Sequence, residues 1–299
     1  MSQYRSRLGA ALLLAALGGL TACQHDASYP VQAAYAKAGP YATTTGIVTG
    51  PTGTAMYDEY YPANYRALGF ESPIVTWGNG TLGTPADAAV WLRHLASYGF
   101  TVIASTLGYT GSGREIGAAA RYLVAQDSAP GSVFFGHLNV REVAAAGLSE
   151  GAGGAVNAAT NDPALFKTVL TFSLPNTIWD RPNPDCPTRA ACLYDPAALR
   201  CPVFFISTHG AFDAVIASPA TERAFFRSTT VHAALGIILF SDHKRADHAS
   251  IDTHPGGFLG YATAWLEYQL RGDATAAGAF TGTHPELLSN TNWPGSATK

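Results

Sequence analysis

The stretch that decides the fold covers residues 142–160 and reads EVAAAGLSEGAGGAVNAAT. Its mostly apolar first part predicts a buried strand, and the small residues that follow predict a helix. Between them GLSEG matches G-x-S-x-G, a sharp turn that holds a serine hydroxyl at the end of a sheet. Gly147 and Gly151 flank this turn, where a Cβ would collide, so we predict that Ser149 is a nucleophile. The alternative is a glycine-rich turn with an ordinary serine.

Further apolar runs, rich in β-branched and aromatic residues, alternate with helical segments along the chain. Helix-start signals occur at Thr84, Ser112 and Ser218. This alternation predicts an α/β-type three-layer sandwich, with a mostly parallel central sheet and helices on both faces. Residues 46–50 and 55–62 are expected to be antiparallel edge strands. The other runs are PIVTW (73–77), FTVIAS (100–105), TVLTFSL (168–174), PVFFIS (202–207) and LGIILF (235–240).

The N-terminus has the form of an export signal, because Arg5 and Arg7 precede an apolar run over residues 8–20. This run is too short to span a bilayer as a helix. The Leu-Thr-Ala-Cys sequence that ends at Cys23 resembles the lipobox of bacterial lipoproteins, which implies a lipid on that cysteine. We expect an exported bacterial lipoprotein, secreted or held in the cell envelope or at the cell surface. The alternative is a plain secretory peptide with an incidental cysteine.

The chain is expected to contain one catalytic domain. It has 299 residues, of which 47% are hydrophobic and 13% charged, which excludes a disordered chain and a basic nucleic-acid-binding protein. We expect a monomer. The predicted divisions are a signal peptide (1–22), a flexible tether (23–45), the catalytic domain (46–275) and an irregular C-terminal tail (276–299).

Three cysteines remain if Cys23 carries a lipid, and an oxidising compartment would allow one disulfide among them. The sequence leaves all three pairings open. We favour Cys186 with Cys192, because both lie in a proline-rich loop where a short crosslink is sterically easy. Cys201 precedes a predicted buried strand and is expected to be a packed thiol.

A catalytic serine needs a base and an acid that orients the base, and in this fold they follow in the order acid, then His. Asp213 follows the strand PVFFIS, whereas His243 and His248 both follow LGIILF. A metal site is a less favoured alternative, because its candidate ligands have no compact spacing. Those ligands are His243, Asp247, His248 and His254.

The span from about residue 40 to 271 resembles the bacterial cutinase and polyester-hydrolase group of α/β-hydrolases. The similarity lies in YYPANY, WGNGT, HLASYGFTVIAS, the GLSEG turn, FDAVIASP and ADHASID. The resemblance implies that Asp213 is the acid and that His248 is the base. His243 remains the alternative base. The resemblance also implies that the backbone N–H of Asn79, in WGNGT, joins that of Glu150 in an oxyanion hole.

Two features depart from this group. Glu150 places a carboxylate beside the predicted oxyanion hole, where it would oppose the developing charge unless it points away or is neutralised. The aromatic-polyester degraders carry a tryptophan after the strand that follows the serine, and here Pro175 and Asn176 stand nearer that place. Trp179 is a candidate substitute, with packing as the alternative. Activity on aromatic polyesters is therefore an open question.

The expected function is hydrolysis of a carboxylic ester or polyester through a Ser-His-Asp triad, with no cofactor and no metal. One alternative is an amidase or peptidase on the same fold. Another is a catalytically silent, surface-tethered binding lipoprotein. A complete Ser149, Asp213 and His248 set favours an enzyme.

Overall fold

The computed structural model describes residues 28–299. Its strands are β1 (Thr43–Thr49), β2 (Ala55–Pro62), β3 (Ser72–Gly78), β4 (Thr101–Ser105), β5 (Leu138–Leu148), β6 (Thr168–Phe172), β7 (Val203–Thr208), β8 (Ala233–Ile238), β9 (Phe240–Ser241), β10 (Lys244–Arg245) and β11 (Ala297–Thr298). Its α-helices are α1 (Pro30–Ala36), α2 (Ala89–Ser97), α3 (Arg114–Asp127), α4 (Glu150–Asn161), α5 (Asp213–Ile216), α6 (Pro219–Ser228), α7 (Ser250–Thr253), α8 (Gly256–Arg271), α9 (Ala274–Ala277) and α10 (Glu286–Ser289).

Nine of these strands form one mixed sheet in the order β1-β2-β4-β3-β5-β6-β7-β8-β11. The strands from β4 to β8 run parallel, whereas β1, β2 and β11 join antiparallel at the edges. The α/β-hydrolase architecture predicted from the sequence is confirmed, including the two antiparallel strands at the start. Because β5 lies between β3 and β6, the turn after β5 sits at the centre of the sheet's carboxyl edge.

The sheet is buried on both faces, which explains why its strands read as continuous apolar runs. One face packs against α1, α2 and α8, where the buried rings of Trp91, Trp265 and Phe204 form the centre of the core. The other face packs against α3, α4 and α6, and here small residues of α4, such as Ala152 and Ala155, let the helix approach β5 closely.

Two predicted helix starts are displaced in the structure. Thr84 does bind the Asp87 carboxylate through its backbone N–H at 2.8 Å, but this pair closes an isolated turn, and α2 begins only at residue 89. The Ser112 hydroxyl donates to Asp185 at 2.8 Å, and Gly113 is the N-cap of α3. The Ser218 cap is confirmed, since its hydroxyl oxygen accepts from the N–H of Thr221. The Ser112 hydroxyl also accepts from the Arg114 N–H at 3.2 Å, so it combines a local contact at the helix start with a bond to a distant carboxylate.

The predicted flexible tether over residues 23–45 is wrong for its second part. Residues 30–36 form α1, which packs against α8 through Val31 and Tyr35. The N–H groups of Val31 and Gln32 donate to the Glu286 carboxylate at 2.7 and 2.8 Å. The sequence pattern missed this helix because its stabilising partner lies more than 250 residues away. Cys23 lies outside the described residues, and within residues 28–299 no helix is long and apolar enough to cross a membrane.

The predicted irregular tail over residues 276–299 is part of the fold. Phe280, Leu287 and Trp293 are buried in the core, and β11 pairs with β8 through the last residues of the chain. Few of these residues show a regular period, because their positions are set by contacts with α8 and the sheet.

Candidate active site

Ser149 lies in the turn between β5 and α4, at the carboxyl edge of the sheet. Its φ of 55° and ψ of −121° are unusual for a residue with a side chain, and its N–H donates to the Phe172 carbonyl at 2.9 Å. A left-handed backbone at a single serine is the kind of strain that clusters at functional sites. The turn directs Ser149 into the wall of a cavity.

The two flanking glycines are required by close contacts between backbone segments. A Cβ at Gly147 would lie 2.2 Å from the carbonyl oxygen of Gly151, and a Cβ at Gly151 would lie 2.2 Å from that of Gly78. These distances are far shorter than real Cβ contacts. Both glycines therefore have the steric role that the sequence predicted for them.

Asp213 and His248 are brought together by two loops at the same edge of the sheet. His248 Nδ1 lies 2.7 Å from Asp213 Oδ1, and Asp213 is completely buried. The other carboxylate oxygen accepts from the hydroxyls of Ser173 and Thr208, both at 2.7 Å. A neutral histidine that donates from Nδ1 accepts at Nε2, so the arrangement provides an oriented base.

Asp247 fixes the loop of His248, a role that the sequence analysis missed. Its carboxylate accepts from the backbone N–H groups of Phe212 at 3.1 Å, Asp213 at 3.1 Å and His248 at 2.8 Å. Burial alone would raise the pKa of Asp247, but these three N–H donors lower it below its usual value. The only sequence signal was an acid directly before the candidate base, which is too common to interpret.

A cavity of about 610 Å³ contains both Ser149 and His248 in its lining. Its apolar wall includes Leu148, Phe212 and Ile216. The Ser149 hydroxyl and the His248 ring both border this cavity, but the structure shows no hydrogen bond between them. Catalytic hydrogen bonds often form or tighten only when a substrate is bound, so the arrangement remains compatible with proton transfer.

Trp179 lines the same cavity from the loop between β6 and β7. Its side chain is 39% exposed, and its indole N–H donates to the Val215 carbonyl at 3.1 Å. Of the two roles left open by the sequence, the structure favours the cavity wall over core packing.

The Asn79 backbone N–H stays the predicted oxyanion donor, and the structure shows what its side chain does. Asn79 is 2% exposed, and its amide donates to the Ser105 and Leu107 carbonyls at 2.6 and 3.1 Å, so it braces a neighbouring loop. Gly80 and Thr81 line the cavity instead, and a Cβ at Gly80 would lie 3.5 Å from Ser149 Cβ. Gly80 and Thr81, which begin the Gly80–Gly83 turn, therefore lie in the cavity wall directly after Asn79.

Glu150 is the first residue of α4, so its backbone N–H has no acceptor within the helix. Its carboxylate is half-buried and accepts hydrogen bonds from Thr81, Gly111 and Asn183. Burial raises the pKa of this carboxyl, although the same three donors lower it. The carboxylate that was expected beside the predicted oxyanion hole is thus bound by three hydrogen-bond donors.

The favoured disulfide, Cys186–Cys192, is present in the loop between β6 and β7, with a Cα–Cα distance of 5.6 Å. Cys201 is a buried free thiol, and burial raises its pKa to about 11. Cys192 also lines the cavity, so the crosslinked loop forms part of the wall around Ser149.

The reserve base His243 lies away from the cavity, and the alternative metal ligands are not brought together. His243 occupies the tip of the β9–β10 hairpin with a φ of 62° and does not line the cavity. His254 Nε2 lies 2.9 Å from Lys244 Nζ. Across residues 28–299, His243, Asp247, His248 and His254 do not form a compact ligand group.

Glu222 is a buried carboxyl group behind Asp213. It is completely buried, and its Oε1 accepts from the Leu174 N–H at 2.8 Å. Burial raises the pKa of Glu222 well above its ordinary value, and the charge of Asp213 raises it further. Both effects favour the neutral form of Glu222 in the native state.

The raised pKa of Glu222 predicts a pH-dependent effect of Glu222→Gln. The unfolded chain ionises at an ordinary pKa of about 4.3 whereas the native state keeps its proton, so stability falls as the pH rises above that value. Glutamine imitates the neutral carboxyl, and we expect the variant to unfold at a higher temperature than the wild type at pH 8, with a smaller difference at pH 5. Thermal unfolding at the two pH values, with the exposed Glu71→Gln as control, measures this. A difference equal at both pH values would contradict it.

The chain was compared with models of known protein families. The family model described as PETase, PET hydrolase-like, matches residues 23–186, which is more than half of the chain. The matched span includes the Ser149 turn and ends before Asp213 and His248. A search of curated proteins finds no match to the chain.

Proposed function

The chain belongs to the PET hydrolase-like family and is a hydrolase of ester bonds, and from this premise we propose that it is a serine carboxylic-ester hydrolase that forms an acyl-enzyme on Ser149. The observation that carries the proposal is the His248–Asp213 contact of 2.7 Å in a loop that borders the same cavity as Ser149. Nucleophile, acid and base then follow in the chain order of this fold.

In the proposed mechanism the Ser149 hydroxyl oxygen attacks the ester carbonyl carbon while His248 Nε2 accepts the hydroxyl proton. Asp213 orients the ring and stabilises the imidazolium. The oxyanion is bound by the Glu150 N–H and by backbone N–H groups of residues 79–81. His248 returns its proton to the alcohol as the C–O bond breaks. Water then attacks the acyl-enzyme with His248 as base again, which releases the acid and restores Ser149.

The cavity supports a substrate with an apolar part. Trp179, Phe212 and Ile216 provide apolar surface, whereas Asp180 and Asp252 add acidic groups to the lining. Burial raises the pKa of Asp180 to about 6 and that of Asp252 to about 7. An ester or polyester with aliphatic or aromatic units fits such a wall better than a strongly anionic substrate.

A matched pair of substrates tests the reaction class. We expect kcat/KM for p-nitrophenyl butyrate to be at least 100-fold higher than for the matched amide, p-nitrobutyranilide. This ratio corresponds to a difference of about 2.7 kcal/mol in activation free energy. Release of the nitroaromatic product is followed by absorbance, and a series of p-nitrophenyl esters of increasing acyl length then maps the cavity. Faster cleavage of the anilide would indicate an amidase. No cleavage of any member would indicate a binding protein.

A further inference from the structure

The Glu150 side chain lies where three loops meet, beside the turn between β5 and α4 that carries Ser149. Its Oε2 accepts from the Thr81 hydroxyl at 2.7 Å, and its Oε1 accepts from the Asn183 amide at 3.0 Å and the Gly111 N–H at 3.3 Å. Thr81 belongs to the Gly80–Gly83 turn, Gly111 precedes α3, and Asn183 belongs to the β6–β7 loop. One carboxylate therefore connects three separate loops, two of which line the cavity through Thr81 and Asn183.

The connection continues to the disulfide. Asn183 Oδ1 accepts from the Cys186 N–H at 2.8 Å, so the side chain that binds Glu150 also shapes the crosslinked loop. Gly111 fits between the two, because a Cβ there would lie 2.9 Å from Glu150 Cγ and 2.7 Å from Cys192 Sγ. This close packing restricts where the Glu150 carboxylate can lie.

The Gly80–Gly83 turn depends on few other contacts. The Leu82 N–H donates to the Gly108 carbonyl at 2.6 Å, and the turn closes through the Gly83 N–H to the Gly80 carbonyl at 2.8 Å. Leu82 has a φ of 63°, which a residue with a side chain adopts at some cost. The Thr81–Glu150 hydrogen bond is the side-chain link from this turn to the residue after Ser149.

We propose that the Glu150 carboxylate is a positioning residue that holds the start of the Gly80–Gly83 turn at the distance from Ser149 at which the Gly80 and Thr81 N–H groups stabilise the oxyanion. The inference rests on the proposed function of Ser149. A negative charge near an oxyanion is unfavourable, but three hydrogen-bond donors stabilise the charge of this carboxylate. The backbone of Glu150 thus binds the oxyanion directly, whereas its side chain acts through Thr81.

Two pairs of variants test the role of the side chain. Glu150→Gln loses acceptor capacity, and Thr81→Val removes the donor with little change of shape. We expect each to lower kcat for p-nitrophenyl butyrate about tenfold, with KM changed less than about twofold, since a small misplacement of catalytic groups costs rate more than binding. Thr81→Ser should recover most of the kcat lost in Thr81→Val. Glu142→Gln, the same substitution near the other end of β5, is the matched control and should leave kcat unchanged.

The double variant Glu150→Gln/Thr81→Val separates positioning from general destabilisation. If both side chains act through one hydrogen bond, its kcat should be no lower than about that of the worse single variant. Additive losses, or full kcat in Thr81→Val, would overturn the proposal. If only this proposal is wrong, the wild type is still active and Ser149→Ala is still inactive. If the proposed function is wrong, that difference between the wild type and Ser149→Ala is absent.

Discussion

Ser149→Ala is expected to lower kcat/KM for p-nitrophenyl butyrate by about 10⁴-fold or more. The variant lacks the oxygen that would form the acyl-enzyme, and only the oxyanion donors and the cavity remain to stabilise the transition state. Alanine has the same Cβ as serine, so the strained backbone of the elbow is retained and the temperature of unfolding should change little.

Three measurements make this prediction specific. Steady-state rates give the loss, and circular dichroism checks the fold. A fluorophosphonate that labels catalytic serines should add its mass to the wild type but not to Ser149→Ala. Ser228→Ala, at an exposed serine near the end of α6, is the matched control and should keep full activity. Wild-type rates in the Ser149→Ala protein would refute the proposed nucleophile.

His248→Ala is expected to produce a loss of about 10³- to 10⁴-fold in kcat, because the serine then has no base and Asp213 has no ring to orient. KM should change less, since the ring contributes only a small part of the cavity lining. The Phe212 ring packs edge-on against the His248 ring at 4.9 Å, so alanine leaves a gap that water can fill.

His243→Ala is the matched control for the base, since it removes the same side chain from the nearby β9–β10 hairpin. We expect it to keep kcat within about twofold of the wild type, because His243 lies outside the cavity. Initial rates for the two variants decide between them. A large loss in His243→Ala together with an active His248→Ala protein would mean that the base has been assigned to the wrong loop.

The elements of the sheet could be predicted because their signals are local. Each buried strand reads as an apolar run, and the elbow carries its own glycines at Gly147 and Gly151. Asp213 and His248 could be placed because each follows a strand whose carboxyl end meets the same edge of the sheet. Asp213 follows β7 and His248 follows β8, and these two strands are neighbours in the sheet, so the two side chains lie close together.

The errors arose where position depends on contacts that are distant in sequence. The N-terminal helix is stabilised by Glu286, and the Ser112 hydroxyl is bound by Asp185. Asn79 illustrates a different limit, because the path of a glycine-rich turn decides which of its backbone N–H groups faces the serine. Motif spacing does not specify that path.

The short pairing of β11 with β8 has a consequence for how the molecule meets other copies of itself. β8 carries the apolar sequence AALGII, and Ala233 exchanges both backbone hydrogen bonds with Lys299. Without that cover the strand would present a row of free N–H and C=O groups on an apolar edge, which is a template for intermolecular sheet growth and aggregation. The last few residues thus contribute to colloidal solubility as well as to folding.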